Sequence, residues 1–238
     1  MSGWRRRVFA APGLTQSPPG PYLAKLARRW SRKIYVTSPG WDNIGEVLTM
    51  MGVEFEPFPG VYDCDLLFVN CGTHDPLDSA SLQRFVYAGG CLYASDLTSD
   101  LIASTFPGMF RFGGSGYAGM VAANVVDGEL REVVGTSTTV NFDMDSWAVL
   151  EGCQGETLVQ AAQGTEYAGR PLMVEVEYGT GAVFYTSFHN RAQASEHEKV
   201  LLQMLVLKQI SASSHTTVAQ ASQALGISLA ALKRRADG

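Results

Sequence analysis

No stretch of this sequence comes near the ~18–20 uninterrupted apolar residues that a membrane-spanning helix needs. The N-terminus lacks the apolar core of a secretory signal. Its Arg-rich, acid-free character has the composition of a transit peptide, but the Pro-rich break at 17–21 argues against one long amphipathic helix. The four cysteines, Cys64, Cys71, Cys91 and Cys153, form no CxxC pair, and three fall in or beside apolar runs. They read as reduced core residues of a cytoplasmic protein. A phosphate loop is missing too. The glycine-rich stretch 113–119 does not end in Gly-Lys-Ser/Thr, and it does not follow a strand in the dinucleotide pattern. Charge is sparse at 17% of residues against 46% hydrophobic, which excludes bulk disorder and allows a sizeable core.

Acid is absent from residues 1–33, which hold eight of the eighteen Lys and Arg. The remainder carries ten bases against twenty-three acids, a net of −13. A basic leader on an acidic body can dock on that body, on an acidic partner or on nucleic acid, or it can stay solvated. A short helix is expected over 21–32.

From Lys33 to Thr105 strand and helix patterns alternate at short spacing. Strands are expected at 33–38, 53–58, 65–71 and 91–95, and helices at 41–52, 79–88 and 100–105. That order predicts a flavodoxin-like α/β fold: a doubly wound, mostly parallel sheet with an antiparallel hairpin extension near the C-terminal end. Residues 106–132 loosen the pattern: 110–119 reads as a loop over the strand ends or an irregular connection, and a short helix is expected within 121–134. Short strands follow at 138–142, 147–150 and 157–161. Ser195 and Glu198 are spaced as a capping box for a helix over 195–210. Lys208 is expected to lay its stem on apolar surface and its ammonium in water, and His197 to sit at the helix surface. Three parts result: a leader and short helix over 1–32, an α/β domain over 33–210, and a linker with a small helical hairpin over 211–238.

The hairpin at Pro171–Asn190 carries the clearest motifs: Pro171, then Tyr178-Gly179-Thr180-Gly181, then Tyr185-Thr186-Ser187 and Phe188-His189. In these the chain resembles the class I glutamine amidotransferase-like superfamily, especially its trehalose-utilisation-like branch, over roughly residues 33–210. The resemblance implies that His189 stands where the catalytic base stands. It also implies a nucleophilic cysteine on a sharp strand-to-helix turn, Gly-x-Cys-x-Gly. The matching turn here is Ala94 to Thr98, and Asp96 occupies the cysteine position. The acid two residues beyond the histidine is replaced by Arg191. Glutamine hydrolysis needs a thiolate activated by an oriented imidazole, so the resemblance brings the scaffold without the nucleophile.

Ligands of such sheets sit beyond the carboxyl ends of the strands. The candidate catalytic pair there is His189 with Asp96, either as base and orienting acid or as a remnant ion pair. Trp41, Asp42, Asn43, Cys71, His74, Ser95 and Asn190 are candidate ligand contacts. His74 with Asp75 is a weak metal pair or simply a turn. No metal site is assigned and no cofactor is implied. The tail over 220–235 resembles the bihelical end of Fis-type helix-turn-helix modules, although Leu229, Ala230 and Ala231 stand where base-reading residues usually lie.

Three readings follow. The first is a non-catalytic amidotransferase-like domain that binds a small molecule or a protein partner. The second is a hydrolase using His189 with Asp96, with or without a metal. The third is a nucleic-acid-associated regulator acting through the tail or the leader. No contact with a membrane is expected.

Overall fold

The computed structural model describes residues 32–238. The basic leader and nearly all of the helix expected over 21–32 lie outside the described residues. Nine strands form the main sheet, in the order β2-β1-β3-β4-β11-β10-β9-β6-β7. The parallel half consists of β1 (Ile34–Val36), β2 (Glu56–Pro57), β3 (Leu66–Val69), β4 (Cys91–Ser95) and β11 (Gly181–Thr186). From β11 the sheet continues antiparallel through β10 (Pro171–Tyr178), β9 (Glu156–Ala161), β6 (Gly119–Val125) and β7 (Ser137–Phe142). The extension expected as a hairpin is thus four strands wide. A separate ribbon pairs β5 (Phe110–Gly116) with β8 (Trp147–Cys153).

Alternate residues of each central strand feed two different cores, as a two-residue period requires. Ile34, Val36, Leu66, Phe68, Tyr93 and Phe184 pack with α1 (Ile44–Met51), α4 (Gly128–Val134) and α5 (Glu196–Ser214). Tyr35, Leu67, Val69, Leu92, Val183 and Tyr185 pack with α2 (Ser79–Tyr87), α3 (Ser99–Thr105) and the β5–β8 ribbon. The Tyr-Gly-Thr-Gly turn is fixed by contact as well as by conformation. Gly179 is left-handed at φ 64°, and a Cβ on Gly181 would strike the carbonyl oxygens of Gly90 and Val86.

Several expectations change. The strand expected over 53–58 shrinks to Glu56–Pro57 at the sheet edge, where Pro57 can supply no N–H to a ladder, and the Val53 N–H instead bonds the Leu48 carbonyl at the end of α1. Residues 110–116 and 119–125 form β5 and β6, where a loop or irregular connection was expected over 110–119, and the short helix expected within 121–134 is confined to Gly128–Val134. The glycines of these strands hid the pattern: at Gly116 the Trp147 ring of β8 lies where a side chain would be. The α5 helix runs on to Ser214, past the linker start expected at 211. Ser211, Ser213 and Ser214 bond their hydroxyls to carbonyls of the preceding turn, so serine does not break the helix here. The α6 (Val218–Ala224) and α7 (Leu229–Ala236) helices then fold back, with Val218, Ala221 and Leu232 joining the α5-side core. The α7 end covers His197, whose Nδ1 lies 3.0 Å from the Ala236 carbonyl, so that residue is not at a free surface. Lys208 is also re-read. Its ammonium, on a side chain 11% exposed, ends 2.8 Å from Asp127 and 3.4 Å from Glu129 and is held by these acids at the wall of an open cavity.

Candidate functional site

Strand β4 delivers Ser95 in extended conformation, and the next residue, Asp96, turns left-handed at φ 42°. A 3-10 turn over Asp96–Thr98 then leads into α3. This is a sharp strand–turn–helix elbow. Aspartate tolerates the left-handed region better than most residues, at a cost of roughly 1–2 kcal/mol. The Tyr185 hydroxyl of β11 donates to the Asp96 carbonyl at 2.7 Å and ties the elbow to the neighbouring strand.

The Asp96 carboxylate is 1% exposed. Its Oδ1 accepts the Ala148 N–H of β8 at 2.8 Å. Its Oδ2 lies 3.1 Å from His189 Nε2, though out of line with it, and Nε2 makes no hydrogen bond among the described residues. The other ring nitrogen, Nδ1, is 2.9 Å from Asp143 Oδ1. Burial opposes a charge on His189. The carboxylate of Asp96 and the side chain of Cys71, with Asp42 behind them, outweigh it and raise the imidazole to about 11. The ring thus lies between two carboxylates.

Asp42 is fully buried and organises the adjoining backbone. Its Oδ1 accepts N–H groups from Asn43 at 3.0 Å, Asn190 at 2.9 Å and Arg191 at 3.3 Å, and its Oδ2 accepts the Ser95 hydroxyl at 2.8 Å. Burial holds its carboxyl above the usual range, against the pull of the Ser95 hydroxyl and the His189 charge. Ser95 Oγ in turn accepts the Cys71 N–H at 3.3 Å. Cys71 is fully buried, and its sulfur, an Asp96 carboxylate oxygen and a His189 nitrogen all lie within 4.8 Å of one another.

Of the residues singled out from the sequence, the structure gathers Asp42, Cys71, Ser95, Asp96, His189 and Asn190 into one buried cluster. Asn43 lies beside it but turns its amide to Glu46. Trp41 is 62% exposed at the rim. His74 is exposed, and the neighbouring Asp75 accepts from the Ser38 backbone at 2.6 Å, so that pair closes a turn and does not join the cluster. Arg191, at the position of the missing acid, reaches Glu46 at 3.0 Å. Sequence reasoning missed Asp143 and Ala148. The only signal for Asp143 was an Asp-Met-Asp turn after β7, and nothing marked a backbone N–H in β8.

No protein-family model matches the chain, and no curated protein matches it in sequence. Solved structures do resemble it. A candidate GMP synthase subunit from Thermoplasma acidophilum superposes with a TM-score of 0.53 at 14% identity, over 77% of this chain and 94% of that one. A beta-galactosidase from Bacillus circulans sp. alkalophilus gives 0.50 at 12% identity over 87% of this chain, which spans only 34% of the galactosidase. A glutamine amidotransferase from Thermotoga maritima gives 0.46 at 8% identity, over 86% and 94%. One fold serves proteins with different names, so the likeness is one of scaffold. The chain has the flavodoxin-like α/β fold of the Thermoplasma protein, with Asp96 on its elbow.

Proposed function

We propose that this chain is a non-catalytic amidotransferase-like domain of the trehalose-utilisation-like kind, working as a binding module for a small molecule or a protein partner. The observation that carries this reading is the Asp96 carboxylate. On the elbow where the resemblance places a nucleophile, one oxygen is taken by the Ala148 N–H and the other faces His189, with 1% exposure. Amide hydrolysis needs a free nucleophile and room for a tetrahedral intermediate with donors aimed at its oxyanion. A carboxylate bonded into its own protein's strand supplies neither. Trp41 at 62% exposure and Leu97 at 44%, near the ends of β1 and β4, offer apolar surface to a partner.

The test is a turnover assay on the full chain with glutamine and with p-nitrophenyl acetate. Rates equal to those of the His189→Ala variant are expected. Turnover that His189→Ala abolishes would overturn this reading and favour a hydrolase with His189 as base beside Asp96. The reading of the tail as a nucleic-acid contact has less support. Arg235 is paired with Glu196 at 2.8 Å and Leu232 is buried.

A further inference from the structure

One group in the elbow cluster is left unexplained by packing. His189 Nε2 is buried in a side chain that is 1% exposed, yet it donates to nothing and accepts from nothing among the described residues. A buried nitrogen without a partner is costly, so its surroundings call for an explanation. Facing it are the Cys71 sulfur and an Asp96 carboxylate oxygen, all within 4.8 Å of one another.

We propose that Cys71, Asp96 and His189 bind one zinc-class divalent ion through a thiolate sulfur, a carboxylate oxygen and an imidazole nitrogen. The donor set selects the metal. Thiolate with imidazole and carboxylate suits zinc, whereas magnesium and calcium take oxygen ligands. With zinc-to-donor distances of about 2.0–2.3 Å, neighbouring donors of a tetrahedral site stand roughly 3.3–3.7 Å apart. The observed 3.1 Å between Asp96 and His189 is close to that separation, and Cys71 needs a shift on the order of 1 Å at most.

The second ring of contacts fits as well. A metal-binding histidine usually gives its other N–H to a carboxylate, which fixes the tautomer. Asp143 stands 2.9 Å from Nδ1, on the correct side to leave Nε2 for the ion. The Ala148 N–H holds Asp96 Oδ1 and leaves Oδ2 to coordinate. Asp96 and Asp143 place two carboxylates beside a single imidazole. Three protein donors leave a fourth position for one small ligand such as water. Loading displaces the proton of the Cys71 thiol and that of Nε2 to solvent. The ion would join the carboxyl ends of β3, β4 and β11. Three protein donors with one open position are not the closed set of a structural zinc site. A bound ion goes beyond the binding role proposed above, and metal uptake tests it separately from the turnover assay.

The experiment uses the full chain, stripped with a chelator and then dialysed against cobalt(II) or zinc(II). One ion per chain is expected, and the cobalt form should show a thiolate-to-cobalt charge-transfer band that zinc bleaches. Asp143→Asn should weaken binding about 10–100-fold. Cys71→Ser should remove the band, and His74→Ala should change nothing. A wild-type chain that takes up no cobalt, or takes it up without a thiolate band, overturns the proposal, whatever the variants do. So does a band that persists in Cys71→Ser.

Discussion

Each end of the β4–β11 pair carries a cluster of charged side chains, and the two clusters are built differently. At the carboxyl ends, Asp42, Ser95, Asp96 and His189 are each 2% exposed or less, and both aspartates accept backbone N–H groups. At the amino ends a cavity of about 500 Å³ opens, lined by Gly89, Cys91, Glu175, Glu177, Thr180 and Lys208. There one ammonium faces three carboxylates: Asp127 at 2.8 Å, Glu129 at 3.4 Å and Glu175 at 3.9 Å. Directional bonds to backbone close the first end. The second is held by charge balance beside open space. The end where sheets of this kind bind ligands is the sealed one, and the room lies at the other end.

Substitutions should separate the two ends by size of effect. Asp96→Ala leaves the buried Ala148 N–H without an acceptor and His189 with only one of its two carboxylate neighbours, Asp143. A loss of about 3–5 kcal/mol is expected in denaturant unfolding. Asp96→Asn keeps an acceptor and tolerates the same backbone, so it should recover part of that loss. Equal losses in the two variants would remove the role given to the Ala148 bond.

Lys208→Met comes next. It strands Asp127, Glu129 and Glu175 together, but the adjoining cavity admits water, so a smaller loss of about 2–3 kcal/mol is expected. A loss larger than that of Asp96→Ala would reverse the contrast between the ends.

Glu175 gives a pH-dependent test of the open end. Burial raises its carboxyl to about 7, against the attraction of Lys208. The fold therefore prefers the protonated acid. The contribution to stability is full below the ordinary value of 4.5 and is lost as pH rises through about 7. Glu175→Gln cannot ionise. It should match wild type near pH 4.5 and exceed it above pH 7, by about 1–2 kcal/mol after discounting for the wet cavity. Thermal unfolding of both proteins across that range checks the sign. Trp41→Ala, at an exposed rim position, should change stability by less than about 0.5 kcal/mol. A larger loss would make that side chain part of the fold and not of a binding surface.

Much of the fold was legible because its signals are local. Apolar strand runs, the Gly-Thr-Gly turn and the Ser195–Glu198 capping box all depend on a few neighbouring residues, and each is present. The β5–β8 ribbon was not legible. Its glycines are explained by Glu151 and Trp147 lying across them, and both are remote in sequence. Within the cluster, Asp96, His189, Asp42, Cys71 and Ser95 could be listed together because strand ends converge in a parallel sheet. Asp143 and Ala148 could not. They arrive on a connection and a ribbon strand whose placement depends on long-range packing. The acidic partners of Lys208 were missed for the same reason. Its helix face was apparent, but the acids that meet it come from α4 and β10.

The bond that joins β8 to the elbow carboxylate runs from the Ala148 N–H to Asp96 Oδ1. Amide hydrogen exchange at Ala148 measures it directly. Exchange in the wild-type chain should occur only through global unfolding, and the protection should be lost in Asp96→Ala. Fast exchange at Ala148 in an otherwise protected wild-type sheet would show that β8 lifts from the elbow, which would contradict a sealed elbow and with it the proposed binding role.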